Sequence, residues 1–436
     1  MKVYIETYGC QMNEYDSEIV RGILREKAYA LVDSAEEADI ILLNTCSVRD
    51  NADRKVIARV HALRHLNGGA HKKIGLIGCM PTSHRQGLIA DGKLPIDFIA
   101  GPDSYRRLPS LIEKSIESSD KAFDIRLSRS ETYSGVHPFR SGGVNGWIAV
   151  MRGCNNFCTF CVVPYTRGRE RSRSVDDVVT EARELAAQGC KQITVLGQNV
   201  NSYQHDGHDF AYLLDKISEI DGVQRIRFTS PHPKDFPTSL LRVVAENPKV
   251  CKHIHLPLQA GNSRVLDLMH RTYDKEDYLA LVDKIKRFFP AMVLTTDIIV
   301  GFPTETEKEF EDTVDVMQRV EFDSAFIFKY SERKGTLAAK RFPDDVSAVK
   351  KTERIVRLNE LQKEISLAKN RAHIGQVHAV LIESLRTKKS SSDMQGRTDG
   401  NKLVILPRGD AGIGDFVQVR ITDASAHVLK GRALST

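Results

Sequence analysis

Along this chain, short wholly apolar runs alternate with amphipathic stretches; the alternation lapses, resumes, and finally gives way to a period of two. Residues 2–8 form a β-rich run, 13–28 a helical stretch behind a polar cap, and 40–44 a continuous apolar strand. A helix over about 49–65 and apolar strands at 74–77 and 96–99 follow. Apolar strands separated by helices predict a parallel sheet covered on both faces. Residues 126–145, with Ser-Gly-Gly at 141–143, show no periodicity and read as a linker. A second series of strands is predicted at 147–151, 192–196, 225–229, 253–256, 293–300 and 325–329, with helices at 175–188, 213–220, 240–247 and 307–319. Six such units predict a (β/α)6-type partial barrel whose active site lies at the C-terminal ends of the strands. A charged helix over 348–371 leads to runs at 377–383, 402–406, 416–422 and 427–431 that alternate as strands do. They predict a small antiparallel β-barrel of the oligonucleotide-binding type.

The expected class is therefore α/β, in three domains and a linker: a parallel-sheet domain over 1–125, the linker 126–145, a partial barrel over 146–370 and a small barrel over 371–436. With 436 residues, 41% hydrophobic and 28% charged, the chain has the composition of an ordinary soluble protein with room for a large core. No apolar run approaches the length of a membrane span and the first residues lack a signal-peptide core, so a cytoplasmic protein with no membrane partner is expected. The net charge of +6 allows a nucleic-acid partner without demanding one. Residues 371–436 hold ten Lys/Arg against six Asp/Glu, which concentrates much of that excess in the tail.

Eight cysteines in such a chain are better read as ligands or core thiols than as disulfides. Three stand in Met151-Arg152-Gly153-Cys154-Asn155-Asn156-Phe157-Cys158-Thr159-Phe160-Cys161, directly after the first barrel strand. Cys154, Cys158 and Cys161 can wrap three corners of a cubane iron–sulfur cluster, and no fourth Cys or His lies close by. A structural zinc normally takes four protein ligands, so zinc with a distant fourth ligand is the alternative. Cys10, Cys46 and Cys79 each follow a predicted strand; in a parallel sheet those ends lie side by side, within reach of one metal centre. The alternative is three small residues buried at strand ends. Cys190 and Cys251 share no such pattern and are expected to be core thiols.

The Cys154/Cys158/Cys161 triplet, with Phe160 before its last cysteine at the mouth of a β/α barrel, resembles the radical S-adenosylmethionine superfamily. Tyr8-Gly9-Cys10-Gln11-Met12-Asn13, Asn44-Thr45-Cys46-Ser47-Val48-Arg49 and Gly78-Cys79-Met80 resemble the cluster-ligand motifs of the methylthiotransferases. Phe160-Cys161-Val162-Val163-Pro164-Tyr165-Thr166-Arg167-Gly168-Arg169-Glu170 resembles that family's core signature. Leu196-Gly197-Gln198-Asn199-Val200-Asn201-Ser202-Tyr203 resembles the bacterial branch acting on isopentenyl-type adenosine beside the tRNA anticodon, and the tail resembles the TRAM domain, a small RNA-binding barrel. Two departures stand out: Pro81-Thr82 where the family has Ala-Gln, and Tyr330-Ser331-Glu332-Arg333-Lys334-Gly335-Thr336, which lacks the family's prolines.

The resemblance implies two 4Fe–4S clusters: one on Cys154, Cys158 and Cys161 that cleaves S-adenosylmethionine to a radical, and an auxiliary one on Cys10, Cys46 and Cys79 that carries sulfur. S-adenosylmethionine then serves as both radical source and methyl donor, the cofactor supplying the hard chemistry. Implied partners are the tRNA anticodon stem-loop, an electron-donor protein and a sulfur source, with a monomer as the default. Phe160 is a candidate to pack on the adenine of S-adenosylmethionine, or to anchor the cysteine loop. Gly197 and Gln198 are candidates for its methionine end, and Gln259 and Asp297 are strand-end polar candidates that can equally be turns or caps. Arg167, Arg169, Arg171 and Arg173 read as a seat for phosphates or for the S-adenosylmethionine carboxylate, or as a solvated loop. His232 reads as structural. Rival functions are methylthiolation of threonylcarbamoyladenosine or of a ribosomal-protein aspartate and, from another class, a non-catalytic zinc or iron–sulfur RNA-binding protein.

Overall fold

A computed structural model describes residues 1–46, 50–66, 72–83, 94–118, 121–140 and 142–434. Ser47, Val48 and Arg49 of the second cysteine motif, and Ser141 of the Ser-Gly-Gly turn, lie outside them. The N-terminal region is a six-stranded, all-parallel sheet in the order Ala30–Leu31, Lys2–Tyr8, Ile40–Thr45, Lys73–Gly78, Phe98–Ala100, Ala122–Asp124. Every residue of Ile40–Thr45 is buried, because helices and loops cover both faces and no polar face is needed. Ile40, Leu42 and Ile77 join one core cluster; Ile41, Leu43 and Leu76 join the other.

The register matters more than the order. Tyr8 pairs with Thr45 and Thr45 with Gly78, so three neighbouring strands end level with one another. Gly78 ends its strand with φ +95, and a Cβ there would come within 2.5 Å of Asn44 Oδ1 and Thr45 O. Glycine alone lets the backbone turn this close to its neighbour.

The next six strands, Asn145–Ala149, Gln192–Leu196, Arg225–Phe228, His253–His255, Val293–Val300 and Ser324–Lys329, are also parallel and run in chain order. They form two three-stranded sheets joined by a parallel bridge between Ile226 and Val250, which makes a partial barrel. Along Val293–Val300 alternate residues divide cleanly: Leu294, Thr296, Ile298 and Val300 are buried, while Thr295, Asp297 and Ile299 face a central cavity. The strand expected at 147–151 lies two residues earlier, at Asn145–Ala149. Met151–Arg152 leaves the sheet to pair antiparallel with Arg171–Ser172 and so starts the cysteine loop.

The segment between these regions is irregular but packed: Tyr133 is buried on Tyr105, and Arg140 reaches Glu18 and Glu181. After the Ala348–Arg371 helix the chain closes a five-stranded barrel, Val377–Ser384, Asp393–Arg397, Leu403–Pro407, Phe416–Ala424 and Leu429–Ala433. Its pairings are antiparallel except Leu403–Pro407 with Leu429–Ala433. Two buried arginines of the partial barrel dock it. Arg225 donates to the Arg397 and Ala379 carbonyls, and Arg227 to those of Asp399 and Thr398, each at 2.7–2.8 Å. No helix among the described residues is long and apolar enough to cross a membrane.

Candidate active site

The level strand ends deliver Cys10, Cys46 and Cys79 to one edge of the N-terminal sheet. Cys10 is the N-cap of the Gln11–Glu26 helix and Cys79 the first residue of the Cys79–Ser83 helix. Asn13 ties two of the three loops together: its Oδ1 lies 3.3 Å from Cys10 Sγ, and its Nδ2 donates to Asn44 Oδ1 and the Thr45 carbonyl. A hydrogen bond from Cys46, together with Arg167 and backbone N–H groups at the helix start, draws the Cys10 thiol down to about 6. Burial pushes Cys79 the other way, against the pull of Arg167. The triad therefore holds thiols in mutual contact, one of them already inclined to ionise.

The second triad is made by a loop rather than a sheet. Gly153, at φ +79, starts it; a Cβ there would overlap the Arg169 carbonyl. The loop is pinned along its length: Gly153 N donates to Gln198 Oε1 at 2.5 Å, Cys154 N to the Gly168 carbonyl at 3.1 Å and Thr159 N to the Met269 carbonyl at 3.0 Å. Cys154 and Cys158 are buried and Cys161 half-buried. Burial lifts Cys154 to about 11 and Cys161 to about 12, with Cys158 adding to the effect at Cys161. Left alone Cys154 and Cys161 stay protonated; a cationic metal group would draw off their protons as it bound.

A cavity of about 1120 Å3 joins the two triads, with Cys10 on its wall at one side and Phe160 and Cys161 at another. It runs down the partial barrel past His255, Gln259, Asp297 and Phe326 to Arg397, Lys402 and His427 of the small barrel. Asp297 Oδ2 pairs with His255 Nε2 at 3.3 Å, and the other ring nitrogen, Nδ1, lies 3.0 Å from Thr295 Oγ1. Gln259 adopts φ +70, unusual for its type, and is held by hydrogen bonds to Asp297 and Ile299. Phe326 is 56% exposed, a large aromatic face open to the cavity.

Not every expected residue points there. Arg167 is buried with its Nε 3.2 Å from Cys79 Sγ and its Nη2 2.7 Å from Asp16 Oδ2, so its charge is directed at the N-terminal triad, not at a phosphate or a carboxylate of S-adenosylmethionine. The alternating arginines divide for the same reason. Arg171 is paired with Asp103 and Arg173 with Asp177 and Glu181, all buried or nearly so, and Arg169 covers the Phe157 ring. Gly197 packs against Met151 and Val200, and Gln198 is spent on Gly153, so both support the cysteine loop. His232 is buried, its backbone cradled by Asn201, and burial holds its ring neutral, near 2. Cys190 and Cys251 are buried away from both triads.

Sequence reasoning missed the groups behind the thiols. Asp16 is fully buried and bridges Arg152, at 2.6 Å, and Arg167. Arg271 is buried with Nη1 3.3 Å from Cys158 Sγ. No local pattern marks either, since each partner is remote in sequence. Two orphaned polar atoms bear on what fits the triads: Nη1 of Arg167, whose Nε reaches Cys79, and Asn156 Oδ1 within the cysteine loop are buried without a partner. Thiols backed by unspent guanidinium donors suit an anionic thiolate-bound group. Among the described residues no three His, Cys, Asp or Glu side chains close around a single ion. Three thiols at each site, with no imidazole or carboxylate in the set, are donors of the kind that iron–sulfur clusters take.

Comparison with known proteins agrees with this division. Residues 148–317 match the radical SAM superfamily, residues 2–101 the uncharacterised protein family UPF0004, and residues 371–434 the TRAM domain. Among solved structures, the fold resembles a radical S-adenosylmethionine methyltransferase, TsrM, of Kitasatospora setae (TM-score 0.59, 16% identity, 78% of this chain and 77% of that one). It also resembles the cobalamin-dependent S-adenosylmethionine radical enzyme OxsB (TM-score 0.53, 12% identity, 84% and 62%). The likeness in sequence is far stronger. The tRNA-2-methylthio-N(6)-dimethylallyladenosine synthase of Chloroherpeton thalassium is 46% identical over 99% of this chain and 96% of its own. That of Phocaeicola vulgatus is 44% identical over 99% and 95%. Likeness at that level from end to end means that the chain belongs to the family of tRNA-2-methylthio-N(6)-dimethylallyladenosine synthases, within the radical SAM superfamily.

Proposed function

We propose that this protein adds a sulfur and a methyl group at carbon 2 of the isopentenylated adenosine next to the anticodon of tRNA, using S-adenosylmethionine and two 4Fe–4S clusters. One observation carries the reading: two separate thiol triads open on one cavity in a chain related along its whole length to synthases of that name. Cys154, Cys158 and Cys161 hold one cluster, and Cys10, Cys46 and Cys79 hold the other. When bound, three-thiolate clusters supply an electron to the S-adenosylmethionine sulfonium at the first site and a seat for transferable sulfur at the second.

The remaining work belongs to the chain. Phe160, Gln259 and Asp297 line the cavity between the triads, where an apolar ring and two polar ends suit a nucleoside sulfonium. Gly197 and Gln198 act at one remove, by fixing the loop that carries Cys154. Arg167 serves the auxiliary triad. On the tRNA side Phe326 offers an aromatic face for a base on the same cavity wall as Arg397, Lys402 and His427; Arg397 and Lys402 are paired with Glu383 and Asp323. An electron-donor protein and a sulfur source complete the reaction, and the protein works as a cytoplasmic monomer.

The test is an anaerobic reaction of cluster-reconstituted protein with reductant, S-adenosylmethionine and isopentenylated tRNA, read by mass spectrometry of the digested nucleosides. Methylthio-isopentenyladenosine is the expected product. Release of 5′-deoxyadenosine with unchanged tRNA would move the substrate elsewhere, and neither product from intact clusters would overturn the reading.

A further inference from the structure

Both thiol triads face buried guanidinium charge that carboxylates among the described residues do not fully match. Arg271 is the simpler case. It is 7% exposed, and its three nitrogens donate to Tyr273 Oη (Nε, 3.0 Å), Cys158 Sγ (Nη1, 3.3 Å) and the Pro257 carbonyl (Nη2, 3.3 Å). Among the described residues no carboxylate pairs with it; the electronegative partners acting on it are the Tyr273 hydroxyl and the Cys158 sulfur. Other charges near this triad lie on the solvent side. Glu170 and Lys234 act on Cys154 with opposite signs, and Lys234 is exposed.

The N-terminal triad reaches the same balance by a different route. Arg152 and Arg167 are both buried and share one carboxylate, Asp16, which is itself fully buried. Two cations against one carboxylate leave a single positive charge for the triad's own sulfurs to meet; Arg167 directs Nε at Cys79 Sγ and keeps Nη1 unpartnered. The neighbouring Arg171 is already matched by Asp103.

A buried, unpaired charge is costly, and proteins keep one only where something compensates it. An oxidised 4Fe–4S core held by three thiolates carries one net negative charge, which is the complement of the single positive charge at each triad. We propose that Arg271 is the counter-charge of the Cys154/Cys158/Cys161 cluster, and that the Arg152–Asp16–Arg167 group is the counter-charge of the Cys10/Cys46/Cys79 cluster. This rests on the cluster assignment above. Each arginine is a positioning and tuning residue: it touches a cluster ligand and acts through it. Donors on a cluster sulfur and positive charge nearby both favour the reduced, more negative state and raise the potential.

The test compares the unaltered full-length protein with Arg271→Met, a swap that fills similar volume without charge, each without and with reconstituted iron and sulfide. Because the cluster-free protein carries Arg271 uncompensated, Arg271→Met is expected to melt no lower than the unaltered chain in that state and to gain less Tm on cluster loading. A purely structural arginine predicts the reverse. In a redox titration followed by electron paramagnetic resonance, the reduced-to-oxidised ratio of that one cluster falls at least tenfold at fixed potential, about 59 mV for a one-electron couple. The auxiliary cluster stays where it was. Arg167→Gln gives the mirror result.

A cluster-free Arg271→Met that melts lower or fails to fold overturns the inference, as does a potential that does not move. So does an equal shift of both clusters, which would mean general loosening. If the unaltered protein assembles no iron–sulfur cluster, the cluster assignment itself fails, and that result is distinct from all of these.

Discussion

The two thiol triads each consist of three cysteines and are built in opposite ways. Cys154, Cys158 and Cys161 lie within eight residues of one another, and a loop pinned by Gln198, Gly168 and Met269 sets their geometry. Cys10, Cys46 and Cys79 are dozens of residues apart and meet only because three parallel strands end in register at Tyr8, Thr45 and Gly78. One triad can be shaped by local backbone; the other exists only once the sheet has formed. The electrostatics differ in the same sense. A single arginine backs the loop triad, whereas the sheet triad is backed by a bridged arginine pair recruited from the partial barrel. Arg152 and Arg167 belong to the cysteine-loop region but converge on Asp16 of the N-terminal helix, so completing the auxiliary site couples the two regions.

The largest expected effect comes from removing a ligand on either side. Cys158→Ala loses both 5′-deoxyadenosine release and tRNA methylthiolation. Cys46→Ala loses methylthiolation while retaining cleavage of S-adenosylmethionine, with nucleoside products read by mass spectrometry. Identical phenotypes for the two variants would erase the functional distinction between the triads.

Next is the coupling through Asp16. Asp16→Asn strands two buried guanidinium groups and is expected to cost about 3–5 kcal/mol in cluster-free stability by denaturant titration, as broken buried ion pairs do. A change within error would mean that Arg152 and Arg167 find other partners. Gly153→Ala tests the loop triad alone: forcing a side chain onto φ +79 against the Arg169 carbonyl costs about 1–3 kcal/mol. Its signature is loss of iron from the Cys154/Cys158/Cys161 site with the auxiliary site still filled. The smallest effect is at the docking of the TRAM barrel. Arg227→Met leaves the Asp399 and Thr398 carbonyls without their donors and should weaken docking by about 1–3 kcal/mol. Hydrogen exchange speeds up around residues 397–402 while S-adenosylmethionine cleavage is unchanged.

The legibility of these features follows the same contrast. Long runs with clear flanking breaks are readable to the residue: Lys2–Tyr8, Gln192–Leu196, Val293–Val300 and the charged Ala348–Arg371 helix stand as the pattern predicts. Elements that owe their form to neighbours were not. Ala30–Leu31 and Ala122–Asp124 are edge strands of two and three residues, too short to show a period, and Asp393–Arg397 is a polar strand with a glycine that only barrel closure enforces. The Leu108–Glu117 helix, opening with Leu-Pro, was also passed over. The six cysteines could be grouped because strand ends in a parallel sheet converge. The arginines could not be sorted. Arg167, Arg171 and Arg173 look alike as a basic run, yet Asp16, Asp103, Asp177 and Glu181 remove them from solvent. Charge in sequence does not report its partner. Arg271 is the sharpest case, since its one informative contact is a thiol 113 residues away.

The central claim is that the triads are two independent cluster sites opening on one cavity. It is tested most directly by iron, sulfide and zinc analysis with Mössbauer spectroscopy on two reconstituted triple variants, Cys10/Cys46/Cys79→Ala and Cys154/Cys158/Cys161→Ala. The account predicts that each retains half of the iron and sulfide of the unaltered protein as one 4Fe–4S cluster, with no zinc. Full iron in either variant, no cluster in both, or stoichiometric zinc in the unaltered chain would contradict it.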